Sequence, residues 1–414
     1  MYSEHTLFRG ALLCATLSVA ALTPAVGASM SRADWQRVQA ATGRQVSALP
    51  HGFAAARPAA TYTILHNFAG GTADGGGSTA EVTLDNSGNI YGTTGNGGTY
   101  GGGVLFTLAS DGTETLLHSF GGAGDGTSPD GAVTLLASGD IYGTTQDGGS
   151  GDNGTLFELT AKGKYKVLHS FATSEGSFIR GRLVQDKAGD FFGTALFGGP
   201  SGNGSVFEYS AAGTLTVVHG FNGTDGQYPE HGVISDKAGD LFGVTAFGGA
   251  NGEGAVYEIS KKGKFKTLYS FTGGADGGFL YGGLAIDSSG NLYGNTVNGG
   301  INNEGTVFEL SPAGKLTTLY SFKGGADGAN PEGDVLLVGK TIYSTTTSGA
   351  DPTCQCGGIY EVKSSGKAKT LQAFTDAEGD GYSAGLTRGG STFYGTTAGG
   401  GANGYGVVFS LTRK

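Results

Sequence analysis

Tyr91-Gly92-Thr93-Thr94 is the first statement of a phrase, an aromatic followed by Gly and usually Thr-Thr, that decides the fold. Its aromatic returns at Tyr142, Phe192, Phe242, Tyr293, Tyr343 and Tyr394, with spacings of 51, 50, 50, 51, 50 and 51 residues. A period that constant marks one supersecondary unit copied along the chain. Two further phrases keep step with it. A Leu-His-Ser-Phe type phrase ends at Phe68, Phe120, Phe171, Phe221, Phe271, Phe322 and Phe374. A Gly-Thr-Val-Phe-Glu-Leu type phrase carries its aromatic at Phe106, Phe157, Phe207, Tyr257, Phe308, Tyr360 and Phe409. An apolar run before a Gly-Asn or Gly-Asp turn, such as Gly283-Leu284-Ala285-Ile286, completes each copy.

The four runs are short, rich in Val, Ile, Thr, Phe and Tyr, and bounded by Gly, Asn, Asp and Ser, which predicts strands rather than helices. In Thr306-Val307-Phe308-Glu309-Leu310 polar and apolar residues largely alternate, as a strand with one polar face requires. Four strands in about 50 residues match one blade of a β-propeller, so seven copies predict an all-β, seven-bladed propeller of four-stranded blades over residues 61–414. The phrase order puts the apolar run innermost and Leu-His-Ser-Phe outermost. The chain therefore enters on an outer strand, Tyr62 to Phe68, and leaves on a third strand, Val407 to Leu411. The N-terminal strand is expected to complete the blade whose inner three strands come from residues 384–411, leaving no open sheet edge at the join.

Composition fits this class. Gly accounts for 82 of 414 residues, yet 38% are hydrophobic, so the chain can bury a core and supply the positive-φ turns that many short strands need. Gly has no third-position period, which excludes a collagen-like helix, and a parallel β-helix would use shorter coils. Residues 1–28 read as a signal peptide: Arg9, an apolar run from Ala11 to Ala21, and the small residues Val26-Gly27-Ala28. Residues 29–60 read as a short helix beginning near Ser31 and a Pro- and Ala-containing linker. No stretch of the mature chain is long and apolar enough to predict a membrane span. The expected setting is therefore periplasmic or extracellular, and the expected state a monomer.

The formal charge of −10, with only 25 Lys and Arg that do not cluster, excludes nucleic acid as a partner. Carbohydrate, or another envelope or extracellular protein, is the expected partner. Motifs for phosphate, dinucleotide, nucleophile-elbow or zinc-protease chemistry are lacking, and no cofactor or metal is expected. Cys354 and Cys356, in Asp351-Pro352-Thr353-Cys354-Gln355-Cys356, suggest a local loop disulfide in an oxidising compartment, with free thiols as the first alternative and a metal site, for which no histidine lies nearby in sequence, as the last.

Repeated residues read as scaffold. His66, His118, His169 and His219 share a slot filled elsewhere by Tyr269, Tyr320 and Gln372. Asp74, Asp125, Asp225, Asp276, Asp327 and Asp380, with Glu175, precede Gly in turns. One carboxylate per turn is too few for calcium. Function is sought where the copies disagree. The residues just before the innermost strands are Thr79, Asp130, Arg180, Glu230, Tyr281, Glu332 and Tyr382, with Glu81, Arg182, His231 and Asp334 beside them. In a propeller these positions ring one mouth of the central channel. Acids, arginines, tyrosines and an out-of-pattern histidine facing one axis predict a polar ligand site, or a pair of carboxylates for acid–base cleavage of a polysaccharide or ester. A solvated rim is the plainer reading, and a repeat-mediated envelope or adhesion role is a third.

At Gly290-Asn291-Leu292-Tyr293-Gly294, Gly299-Gly300, Gly305 to Leu310 and Leu319-Tyr320-Ser321-Phe322, the chain resembles the Gloeobacter/Verrucomicrobium ("GloVer") tandem-repeat proteins. The resemblance runs through all seven copies over about residues 61–411, although Phe192 to Ala195 and Tyr343 to Thr346 depart from Tyr-Gly-Thr-Thr. It implies an exported bacterial protein. Many such proteins end in a surface anchor, whereas here Arg413-Lys414 directly follow the last strand. The resemblance brings no established activity and no catalytic residues.

Overall fold

Each 50-residue copy folds as one sheet in the computed structural model, which describes residues 60–380 and 384–413. The expected signal peptide, the short helix and linker, and Tyr382 lie outside the described residues. In blade 1 the strands Thr83–Leu84, Ile90–Thr94, Val104–Leu108 and Glu114–Ser119 pair antiparallel in sequence order, and blades 2 to 6 repeat that order. Blade 7 is made of Thr387–Gly389, Thr392–Thr396, Val407–Arg413 and, from the start of the chain, Ala60–Asn67. The closing strand runs antiparallel to the last, with Ala60 opposite Arg413 and Asn67 opposite Val407. The ring therefore closes as its phrase order predicts. Blade 6 departs slightly: a segment before its innermost strand, Ala329–Pro331, also pairs with the second strand.

The refrain has a physical meaning in each of its letters. Its Gly makes room for an aromatic of the third strand: a Cβ at Gly193 would lie 2.5 Å from Phe207 Cζ, and Gly92, Gly143, Gly294 and Gly395 are placed alike against their own Phe. Blade 6 carries Ser344 instead. There the neighbouring aromatic is Tyr360, and the Ser344 hydroxyl donates to the Gly333 carbonyl at 2.7 Å. The first Thr staples one blade to the next: Thr93 donates to the Gly131 carbonyl, Thr194 to that of His231, and Thr396 to that of Ala80 across the seam at 2.9 Å. The second Thr locks the following turn, as when Thr145 donates to the carbonyl of Asp147 at 3.0 Å.

The other two phrases supply the core between blades. Each outer-strand Phe crosses to the third-strand aromatic of the next blade, from Phe68 on Phe106 at 5.3 Å to Phe374 on Phe409 at 5.5 Å. The same contact recurs at all five joins between these. Both sets are buried, and edge-to-face or tilted aromatic pairs of this kind stabilise beyond their area alone.

Candidate functional site

The innermost strands meet by backbone near the axis, where Gly permits the approach. A Cβ on Gly181 would lie 2.0 Å from the Gly232 nitrogen, and one on Gly131 would lie 2.5 Å from the Arg180 carbonyl. The loops that enter these strands hold their side chains over the closed throat, around a cavity of about 20 Å³. That is room for about one water molecule.

Seven residues singled out from the sequence line this cavity: Thr79, Glu81, Asp130, Arg180, Arg182, His231 and Asp334. They pair across the axis. Arg182 of blade 3 reaches past Ala132 of blade 2 to Glu81 of blade 1, at 3.2 Å. His231 of blade 4 reaches past Gly283 to Asp334 of blade 6, at 2.8 Å. Arg180 pairs with its neighbour Glu230 at 3.1 Å. Small residues make room: a Cβ at Gly385 would fall 2.1 Å from Glu81 Oε1, and one at Gly283 would fall 2.7 Å from Asp334 Oδ1. Asp130 accepts from the Gln146 amide at 2.7 Å. Glu332 is buried between Glu230 and Thr347. Tyr281 stands apart from the cavity, its ring against Phe247.

Five acids face two arginines and one histidine here, so the acids do not all stay ionised. Burial, and after it the charge of Glu230, push Glu332 up to about 8. Burial and Asp334 push Glu81 up to about 7. Burial also raises Asp130. Asp334 goes the other way: burial would raise it, but His231, the Gly283 N–H it accepts, and Arg182 hold it below the usual carboxylate range. Burial would likewise lower His231, yet its bond to Asp334 outweighs this and raises it. The mouth thus sets carboxyls with raised pKa values beside the His231–Asp334 ion pair, groups that titrate nearer neutral pH than ordinary acids.

Beside the mouth lies a feature that the sequence reading missed. Phe178, Phe197, Tyr228, Phe247 and Phe279 form an unbroken series of ring contacts over blades 3 to 5, with centroid separations of 5.6, 5.1, 5.9 and 4.9 Å. All are half-buried. Phe178, Tyr228 and Phe279 sit two residues before Arg180, Glu230 and Tyr281, at φ of 63°, 58° and 57°. Ser128 and Asn330 hold the same left-handed position in blades 2 and 6. The backbone there disfavours bulky residues, yet three copies place an aromatic in that slot. Comparing the copies at that slot, aromatic in three blades and small or polar in the others, is the signal that would have found them.

The repeated residues are each other's partners. His118 bonds Asp125 at 2.7 Å, His169 bonds Glu175 at 2.8 Å and His219 bonds Asp225 at 3.1 Å. Tyr269 and Tyr320 donate to Asp276 and Asp327 in the same way. In the last copy Gln372 donates to Glu378, while Asp380 forms a backbone bridge to Gly399. Glu378 precedes Gly379 at φ 138°, matching Gly176 at 141° and Gly226 at 142°. Cys354 and Cys356 are joined as a disulfide, beside Asp376. Among the described residues, no helix is long and apolar enough to cross a membrane.

The chain belongs to the Gloeobacter/Verrucomicrobia repeat family, whose model matches residues 52–237 and 230–414. No curated protein matches it. Among solved structures it is similar to the extracellular domain of BT4673 from B. thetaiotaomicron, at 12% identity and a TM-score of 0.53, covering 84% of this chain and 40% of that one. It is also similar to puromycin hydrolase, at 13% and 0.51, over 78% of this chain and 50% of that one. A third is PorZ, a surface component of the type-IX secretion system of Porphyromonas gingivalis, at 14% and 0.50, over 83% and 47%. The chain spans half or less of each of these structures, and at such identities the likeness is one of fold.

Proposed function

We propose that this propeller is an exported binding module whose ligand is a carbohydrate chain laid along the aromatic arc, with its polar groups at the charged mouth. The observation that carries the reading is the arc itself: five half-buried rings in sequence, of which Phe178 and Tyr228 lie two residues from the paired Arg180 and Glu230. Sugars present C–H faces that pack on aromatic rings and hydroxyls that bond Arg and carboxylate. The cavity of about 20 Å³ is far below the several hundred Å³ of an enclosing ligand pocket. The ligand therefore lies across the face, and the mouth pairs serve as its polar border.

Affinity electrophoresis through gels containing different soluble polysaccharides, followed by calorimetry on those that retard the protein, tests this. Phe197→Ala and Phe247→Ala should each weaken binding at least about tenfold, since aromatic anchors carry most of such an interface. Retardation unchanged in both variants, or absent with every polysaccharide, would refute it. The shifted acids favour a second reading, a propeller hydrolase using Glu81 or Glu332 as acid. Turnover of a bound polysaccharide or ester that is abolished by Glu81→Gln or Glu332→Gln, with binding intact, would establish that instead.

A further inference from the structure

Where the ring closes, one copy of the repeated His–acid pair differs from the rest. His66 comes from the strand that completes blade 7, and Asp74 from the loop leading out of it. Glu114 opens the outer strand of blade 1. His66 Nε2 stands 3.4 Å from Asp74 Oδ2 and 3.6 Å from Glu114 Oε2, and the three atoms lie within 4.8 Å of one another. These separations exceed those of the matching pairs in blades 1 to 3, at 2.7, 2.8 and 3.1 Å. They match the edge of a tetrahedron, about 3.3–3.6 Å, whose nitrogen and oxygen ligands sit about 2.0–2.2 Å from a shared zinc-type ion.

The repeat supplies its own control. The position of Glu114 is Tyr62, Tyr165, Leu215, Phe265, Leu316 and Ala368 in the other copies. His118 stacks on Tyr165 at 3.6 Å and His219 on Phe265 at 3.8 Å. His66 meets a carboxylate in place of a ring. A second carboxylate brought to a buried Asp–His pair adds like-charge repulsion, unless something positive sits between them. Glu114 Oε1 is sealed from solvent and accepts no bond from an N–H or hydroxyl donor, while its Oε2 faces His66, so the carboxylate lacks the donors a buried acid needs. Asp74, itself buried, is fixed by the N–H groups of Ala69 and Gly75, both at 2.6 Å. Such outer bonds orient a metal-binding carboxylate.

We propose that His66, Asp74 and Glu114 form a divalent transition-metal site of zinc type, with water as the fourth ligand, that ties the N-terminal strand to blade 1. Imidazole with two carboxylates suits zinc or cobalt. Calcium would need about six oxygens. Tag-free full-length protein, stripped with EDTA, is titrated with ZnCl2 by calorimetry, and its Tm is followed by differential scanning fluorimetry. One ion should bind per chain and raise the Tm, and Co2+ should give the intense visible bands of a tetrahedral site. Glu114→Leu uses the residue that blades 3 and 5 carry at that place, and His66→Tyr the one found at its place in blades 4 and 5. Each should weaken zinc at least about 100-fold and abolish the Tm rise, while His118→Tyr should do neither. Absence of binding, or binding unchanged in Glu114→Leu, overturns the proposal. If Asp74 and Glu114 merely share a proton, Glu114→Leu will raise the Tm of metal-free protein and zinc will leave both proteins unmoved, which also overturns it.

Discussion

Glu332→Gln should make the protein more stable at neutral pH and nearly neutral in effect at pH 5. Glu332 is 6% exposed, and its folded pKa stands near 8 against 4.5 unfolded. A carboxyl with a raised folded pKa binds its proton more tightly in the native state. As pH climbs from 4.5 toward 8, the unfolded chain sheds this proton while the folded one keeps it, so stability falls through that window. At about 1.4 kcal/mol per pH unit, the penalty is about 1 kcal/mol at pH 5 and about 4 kcal/mol at pH 7.5. Gln has the shape of the protonated acid, keeps a polar group toward Thr347 and does not titrate. Urea unfolding of both proteins, followed by far-ultraviolet circular dichroism at pH 5 and 7.5, cancels the contributions of every other group. The variant should gain about 3 kcal/mol on wild type between the two pH values. A difference that stays flat would mean that Glu332 is ionised in the fold, compensated by Arg180, and the description of the mouth as a partly protonated cluster would fail with it.

Asp334→Asn removes the charge that holds His231 protonated, so the imidazole titration seen by NMR should move downward from its raised position. Because the raised histidine stabilises below its unfolded value and loses that effect as pH rises through its folded one, the variant should lose most stability near pH 5 and least near pH 8. Gly193→Ala puts a Cβ 2.5 Å from Phe207 Cζ and should lower stability by about 1–3 kcal/mol in urea unfolding. Thr396→Val leaves the buried Ala80 carbonyl at the seam without its 2.9 Å donor and should cost about 1–3 kcal/mol, again by urea unfolding. Its fold should persist, since blade 4 already carries Val244 at the matching place.

The scaffold was legible because each of its letters acts locally and is repeated seven times. Gly under an aromatic, Thr to the next loop, and Phe into the next blade are contacts between neighbouring copies, so fixed spacing determines them. The closing strand followed from phrase order alone, since an outer strand at one end and a third strand at the other leave one way to complete a blade. That the repeated His and acid residues bond to each other was not legible, because the partners stand six or seven positions apart and only the fold of the intervening turn brings them together.

The candidate site obeys a different rule, and the alignment of copies could find its members but not its pairings. Arg182 with Glu81 and His231 with Asp334 each skip a blade, across about 100 residues of sequence. Such pairing is open only to side chains near the axis, where blades 1 and 3, or 4 and 6, come as close as neighbours. Alignment places a residue on the ring. The residues of the skipped blades are small where these pairs meet: Ala132 lines the same cavity as Arg182 and Glu81, and Gly283 lies against Asp334. The aromatic arc escaped for the opposite reason, because Phe and Tyr already mark the scaffold and five more of them did not look like exceptions. What separates the two groups is burial. The scaffold aromatics Phe171, Phe207, Phe221 and Tyr257 are sealed in the core, whereas Phe178, Phe197, Tyr228 and Phe247 are half-exposed on the mouth face, at slots that other blades fill with Gly, Ser, Asn or Asp. A side chain that packs at an interior position in every copy serves the ring. One that appears in three adjacent copies, on an open face and against backbone preference, is where we propose that the fold is put to use.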